Sequence, residues 1–269
     1  MPALTHDLAR VPELVAASGS QLGRPLYFLG STESTNDDAR RAAKDGAPHG
    51  ATWLAESQTA GRGRQGRSWL SPRGEGLLFS VLVRLDVAPA KVPRVPLVAG
   101  LAVRDAVARA APKARVAIKW PNDVEVDGRK VAGILVEAVA SRSAPQAVVI
   151  GIGLNVHTRV FPPEIADRAT SIALVSDGPP PDRAAVLVDV LASLDRDVHL
   201  IGGRGLGLVR SRIEAADALR DRHVRSDDGD EGIACGIDDD GRLLVRRSDG
   251  TRVRWSSGEV HLLPRVSPH

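Results

Sequence analysis

Residues 115–155 read RVAIKWPNDVEVDGRKVAGILVEAVASRSAPQAVVIGIGLN, and this stretch decides the fold. Val, Ile and Ala dominate Arg115–Trp120, Lys130–Ala140 and Gln146–Gly153, with Pro, Asn and Gly between them, the pattern of consecutive β-strands. Lys119 closes a strand whose Val116, Ala117 and Ile118 read as buried, so its ammonium emerges at the strand end, where ligands sit in α/β sheets. Pro121 ends the pairing and puts Asn122 and Asp123 in a turn; their oxygens suit either Mg²⁺ or an Asx-turn. Lys130 starts the next strand and in a hairpin returns near Lys119. Gly151-Ile152-Gly153-Leu154-Asn155 is not the dinucleotide fingerprint, because Val156 stands where a third glycine is required. Its glycines would instead let a flat group such as an adenine lie against the backbone.

Upstream, Pro25–Gly30, Ala51–Ser57 and Leu77–Leu85 read as strands. Ser34-Thr35-Asn36-Asp37-Asp38 is an N-cap signature before the helical run Ala39–Lys44, and Pro96 opens a helix that Pro112 stops. Residues 157–169 read as a loop and Gly178–Asp182 as a proline-rich break. An apolar stripe through Ala185, Leu187, Val188, Leu191 and Leu194 then predicts a helix over Arg183–His199. A further helix over Leu206–Leu219 follows a glycine cluster. Beyond it, short alternating segments at 232–236, 243–246, 252–255 and 259–263 are joined by turns at Asp239-Asp240-Gly241, Ser248-Asp249-Gly250 and Ser257-Gly258. The expectation is an α+β protein of two domains: a mixed β-sheet flanked by helices over 1–218, with 1–24 as a short extension, and a small all-β barrel over 219–269.

Between two of the strands lies Gln58-Thr59-Ala60-Gly61-Arg62-Gly63-Arg64-Gln65-Gly66-Arg67-Ser68-Trp69. Its glycines leave the backbone able to fold closely around a ligand, and its three arginines are forked donors suited to phosphate oxygens. Like charge and glycine entropy predict a loop that is mobile until an anion arrives. A solvated basic loop or a nucleic-acid segment fits the pattern alone; Trp69 favours a small-molecule pocket, because such pockets are lined by apolar side chains.

The 269 residues are 43% hydrophobic and 26% charged, which excludes disorder and a disulfide-stapled miniprotein. A single Cys235 allows no internal bridge and no cysteine-rich metal site, and no stretch reaches the ~18 apolar residues of a membrane span. A cytoplasmic protein with no membrane partner is expected. The excess of 36 basic over 33 acidic residues is too small and scattered to predict nucleic-acid binding. Only five of the 36 basic residues are lysine, and Lys119 and Lys130 both fall in the opening stretch, where a compact point charge has a use that arginine does not share.

In this order, Ser34-Thr35-Asn36, Gln58–Trp69, Lys119–Asp123, Gly128–Glu137 and Gly151–Asn155 resemble the biotin protein ligase family. The likeness is dense over 26–156 and looser through the C-terminal module, where Gly236-Ile237-Asp238 and Gly258-Glu259-Val260 look like that family's SH3-like domain. It is to the monofunctional class, since residues 1–24 are too short for a DNA-binding domain. The resemblance implies a class II synthetase-like catalytic domain, activation of biotin by MgATP as biotinyl-5′-AMP, and transfer to a lysine of a biotin carboxyl carrier domain of acetyl-CoA or another acyl-CoA carboxylase. It implies no nucleic-acid partner and a monomer or weak homodimer.

By the same resemblance Ser34, Thr35, Asn36, Gln58, Gly61, Arg62, Gly63, Arg64, Trp69, Lys119, Gly133, Gly151 and Gly153 would form the biotin pocket. Arg62, Arg64, Arg67, Trp69, Lys119, Asn122, Lys130 and Asn155 would bind ATP. Lys119, Arg64, Arg67 and Lys130 would act on the reacting groups, Asp123 would hold Mg²⁺, and residues 157–169 would form a second lid. Lipoate or octanoate ligases, which share the fold and the adenylation chemistry, are the nearest rival.

Overall fold

The structure is a computed structural model that describes residues 7–139, 146–179, 181–201 and 205–263. The expected strand end at Ala140, Pro180 of the proline-rich break, the glycines before residue 205 and both termini lie outside the described residues.

A seven-stranded mixed sheet forms the frame. It is built from β1 (Leu26–Leu29), β2 (Thr52–Ala55), β3 (Gly76–Leu85), β4 (Val116–Lys119), β5 (Asp123–Val126), β6 (Arg129–Val139) and β7 (Gln146–Asn155), in the order β1-β2-β3-β7-β6-β5-β4. Only β1 and β2 run parallel; all other neighbours are antiparallel. One face is covered by α3 (Val95–Ala110) and α5 (Arg183–Val198), with α1 (Val11–Ser18) against α5. Pro96 in the first turn of α3 needs no N–H partner there, as expected of a helix start. α3 is buried nearly all round, and its Val98, Leu101 and Ala102 join Phe79, Val81, Ile150 and Ile152 of the sheet in the main core.

Among the described residues, α2 (Thr35–Lys44) is the one helix on the opposite face, and its Ala39 and Ala43 pack on Leu82, Val149 and Trp53. Side chains alternate along a strand, so β7 sends Val148, Ile150 and Ile152 to the main core and Ala147, Val149, Gly151 and Gly153 to the α2 side. Where α2 ends its cover, the side chains on that face shrink to glycine and a cleft opens.

Two expectations are corrected here. Asn122 falls in the turn, but Asp123 does not: Asp123–Val126 form β5, which pairs with both β4 and β6. Lys119 and Lys130 therefore lie two strands apart, not across one hairpin. The helix expected over 206–219 shrinks to α6 (Arg210–Ala215), flanked by turns, because Ala216–Ala218 leave the helix to bridge the outer edge of β4. α4 is a single turn at Ile172–Val175.

The C-terminal domain is a five-stranded antiparallel, SH3-like sheet of β8 (His223–Ser226), β9 (Glu231–Ile237), β10 (Leu243–Arg246), β11 (Arg252–Trp255) and β12 (Val260–Leu262), in the order β11-β10-β9-β8-β12. Among the described residues, no helix is long and apolar enough to cross a membrane.

Candidate active site

The cleft holds about 510 Å³ between the α2 face of the sheet, the arginine-rich loop, residues 161–169 and the C-terminal domain. Six cations line it, Arg62, Arg64, Arg67, Lys119, Lys130 and Arg168, against three carboxylates, Asp123, Glu125 and Glu259. That balance attracts anions into a site with apolar walls.

One end is a closed polar network. Gln58 Oε1 accepts hydrogen bonds from Thr35 N (2.7 Å) and Thr35 Oγ1 (3.0 Å). Ser34 occupies the N-cap position of α2 but makes no capping bond with its side chain; Gln58, from the next strand end, satisfies that helix terminus instead. Ser80 donates to Asn36 Oδ1 (2.6 Å), and Asn36 Nδ2 donates to Glu137 Oε2 (2.8 Å). A β-carbon on Gly151 would overlap the Asn36 amide, so the glycine is what admits Asn36 to the sheet surface.

Trp69 fills the middle. Its indole lies over Gly153, where a β-carbon would overlap the ring, and against Gly133, where one would stand 3.1 Å from Cζ3. Of the two glycines expected to take a flat group against the backbone, Gly153 takes the Trp69 indole, whereas Gly151 takes the Asn36 amide. Trp69 Nε1 is buried without a hydrogen-bond partner among the described residues. Lys130 Nζ sits 5.6 Å above the ring, within cation–π reach.

Three acids and one amide tether the arginine-rich loop. Arg62 Nη2 lies 2.8 Å from both Asp37 and Glu137, Arg64 donates to Asn122 Oδ1 (3.0 Å), and Arg67 pairs with Glu259 of the C-terminal domain. Asn122 is itself fixed, since its Nδ2 donates to the Ile134 carbonyl (2.9 Å) and its carbonyl accepts from Ile134 N (2.9 Å). Gly61 stands apart from the other expected site residues. It does not line the cleft; its carbonyl accepts from Trp69 N (2.9 Å), and a β-carbon would come within 2.6 Å of the Trp69 carbonyl, so it closes the loop on itself. Burial lowers the pKa of Arg64, Asp123 opposes that shift and Arg67 adds to it.

At the other end, Lys119 Nζ lies 3.4 Å from Glu125 Oε1. Burial raises the Glu125 pKa, and the Lys119 charge opposes that rise. Lys130 Nζ lies 2.8 Å from Asp123 Oδ1, an ion contact outside hydrogen-bond alignment that leaves this buried oxygen without a hydrogen bond. Residues 157–169 are tied to the same strand start, because Lys130 N donates to the Arg168 carbonyl and Thr170 N to the Lys130 carbonyl. Asn155 Nδ2 donates to Thr170 O (3.0 Å) at the rim.

All the expected site residues except Gly61 meet in this one cleft. Phe161, Ile165 and Arg168 come from the 157–169 segment expected as a second lid, without having been singled out there; sequence reasoning missed Glu125 and the approach of Gly258–His261 to the cleft. Alternation could have found Glu125, which shares the Val124-Glu125-Val126 strand pattern; Gly258-Glu259-Val260 stands out as a motif of the C-terminal module, but nothing local places it at the cleft.

A cationic glycine–arginine loop over a mixed sheet, with an antiparallel domain at the mouth of the cleft, defines a protein that gathers an anionic ligand between two domains. Residues 28–155 match the Biotin/lipoate A/B protein ligase family and residues 223–263 the Biotin protein ligase C terminal domain. The chain is 37% identical over 246 residues to the biotin–[acetyl-CoA-carboxylase] ligase of Mycobacterium tuberculosis, covering 89% of this chain and 90% of that protein. It is 34% identical over 241 residues to the bifunctional ligase/repressor of Bacillus spizizenii, covering 88% and 74%. The biotin protein ligase of Aquifex aeolicus, solved in complex with biotin and ATP, superposes with a TM-score of 0.75 at 30% identity, covering 89% of this chain and 99% of that one. The chain belongs to the biotin protein ligase family.

Proposed function

We propose that this protein is an ATP-dependent ligase that joins biotin to one lysine of a carboxyl carrier domain through biotinyl-5′-AMP. In the first step the biotin carboxylate attacks the α-phosphorus of ATP, forming the acyl phosphate bond as pyrophosphate leaves. In the second, the acceptor lysine amine attacks the acyl carbon, and AMP leaves with the bonding pair. Neither step needs a covalent enzyme intermediate. The need is to bring a carboxylate and a triphosphate together and to keep water from the anhydride.

The observation that carries the reading is the placement of Lys119 at the end of β4, inside the one cleft that Arg62, Arg64, Arg67 and Lys130 also line. Lys119 would sit between carboxylate and α-phosphate; Arg62, Arg64 and Arg67 would cover the phosphates; and Lys130 would follow the pyrophosphate. Ser34, Thr35, Gln58 and the backbone of residues 62–64 would hold the ureido ring at the polar end, and Trp69 would cover the junction. Asn155 and the 157–169 segment would bound the adenylate. Asp123 Oδ1, buried against the Lys130 ammonium at 2.8 Å without an aligned hydrogen bond, would be the oxygen to hold a hard cation once Lys130 turns to the phosphates. Mg²⁺ held there would supply charge neutralisation on the triphosphate. We place the protein in the cytoplasm, away from nucleic acid, as a monomer or weak dimer.

The test is mass spectrometry of an acetyl-CoA carboxylase carrier domain incubated with the protein, MgATP and either biotin or lipoate. Addition of biotin to one lysine supports the reading. A lipoyl adduct alone overturns it in favour of the sister activity.

A further inference from the structure

Lys119 stands at the end of a four-residue strand at the sheet edge, a place where a strand frays unless something covers it. Two parts of the chain beyond residue 215 provide that cover. Ile118 N donates to the Ala216 carbonyl (2.7 Å) and Ala218 N to the Ile118 carbonyl (2.9 Å), so the segment leading into the C-terminal domain completes the edge beside Lys119. The next residue, Trp120, is 2% exposed and donates its indole N–H to the Gly241 carbonyl (2.9 Å), in the turn between β9 and β10.

That turn is itself held. Asp238 Oδ1 accepts from Asp240 N and Arg242 N, each at 2.9 Å. Asp240 pairs at 2.6 Å with Arg94, a 6% exposed side chain at the start of α3 that also donates to the Ile201 carbonyl (3.2 Å). Gly241 has φ +82°, and a β-carbon would come within 3.2 Å of the Pro93 carbonyl, so the turn is seated closely on α3.

We propose that the β9–β10 turn of the C-terminal domain is the positioning device for Lys119, with Asp240 and Trp120 as positioning residues. The path runs from Arg94 through Asp240 and Gly241 to the Trp120 indole, one residue from the ammonium at the reacting centre. The C-terminal domain thus acts on adenylation from behind Lys119, in addition to meeting the cleft through Gly258–His261. This inference rests on the reading of Lys119 given under Proposed function.

The test measures single-turnover biotinyl-adenylate formation, biotin affinity and thermal unfolding for Trp120→Phe, Asp240→Ala, Lys119→Ala and the double variant Lys119→Ala/Trp120→Phe. Trp120→Phe keeps an aromatic ring and removes the N–H. It should slow adenylation roughly fivefold, the size of one hydrogen bond, at unchanged biotin affinity, and Asp240→Ala should act in the same direction. The loss should vanish in the Lys119→Ala background, because a residue acting through Lys119 has nothing left to position. An unchanged rate in folded Trp120→Phe and Asp240→Ala overturns the inference, as does an equal loss with and without Lys119. If Lys119→Ala alone adenylates at the wild-type rate, the underlying reading of Lys119 fails first.

Discussion

The Trp69 indole occupies the space that a β-carbon on Gly153 would need. Two motifs far apart in sequence are thereby joined: the arginine-rich loop reaches the sheet through its tryptophan, and the end of strand β7 receives it with a bare backbone. Gly153→Ala should push the indole off the sheet and lift the loop with it. The expected cost is about 1–3 kcal/mol of stability, the usual range for overpacking. Biotin affinity should fall by about 10-fold, or ~1.4 kcal/mol. Combining it with Trp69→Ala should remove most of the stability cost, since the clash partner is gone. Calorimetry on the two single variants and the double variant checks this; a fully additive double variant would contradict the packing.

Glu137 gathers Arg62 and Asn36 on one carboxylate oxygen, so the loop and the polar end of the cleft share an anchor. Glu137→Gln keeps the shape and removes the charge. It should weaken biotin binding by roughly 1–2 kcal/mol, the range of a charge-assisted hydrogen bond. Titration calorimetry gives the answer, and unaltered affinity would remove Glu137 from the account.

Asp217 supplies a pH test away from the cleft. Burial raises its pKa, its Oδ1 accepts from Leu219 N, and its Oδ2 is buried without a partner. A carboxylate whose pKa is raised on folding favours the folded state when protonated, and that contribution is lost as pH rises through the folded value. Asp217→Asn should therefore raise the midpoint of thermal unfolding at pH 7, by on the order of 1 kcal/mol of stability, and the gain should shrink towards acid pH. A gain that stays constant with pH would mean that Oδ2 charge is not the cause.

Much of this was legible in the chain. Long apolar runs such as Leu77–Leu85 and 147–152 become strands because they are buried on both faces, a signal that one sequence carries by itself. The loop at 58–69 and the stretch 119–123 stand out by residue type and spacing, but each leaves alternatives open, and their chemistry is an expectation carried by the resemblance of the ordered set. β5 was hidden because a four-residue strand starting two residues after a proline looks like a turn, and only its neighbours on both sides make it a strand. Gln58 as the cap of α2 was invisible for the same reason: the bond joins residues 23 apart, and Ser34 is the better local candidate. Gly258–His261 reach the cleft only because the C-terminal domain docks there, which no local pattern records.

Lys119 carries the central claim, that this cleft activates a carboxylate against ATP by charge placement. Lys119→Ala should keep the fold and slow adenylation by at least about 100-fold, some ~3 kcal/mol of lost electrostatic stabilisation. The most direct measurement is pyrophosphate release from MgATP by wild type and Lys119→Ala, with and without biotin and a carrier domain. The account predicts a biotin-dependent burst near one equivalent in the wild type, turnover only when the carrier is present, and neither in the variant on that timescale. Release that ignores biotin, or equal bursts from the two proteins, would contradict it.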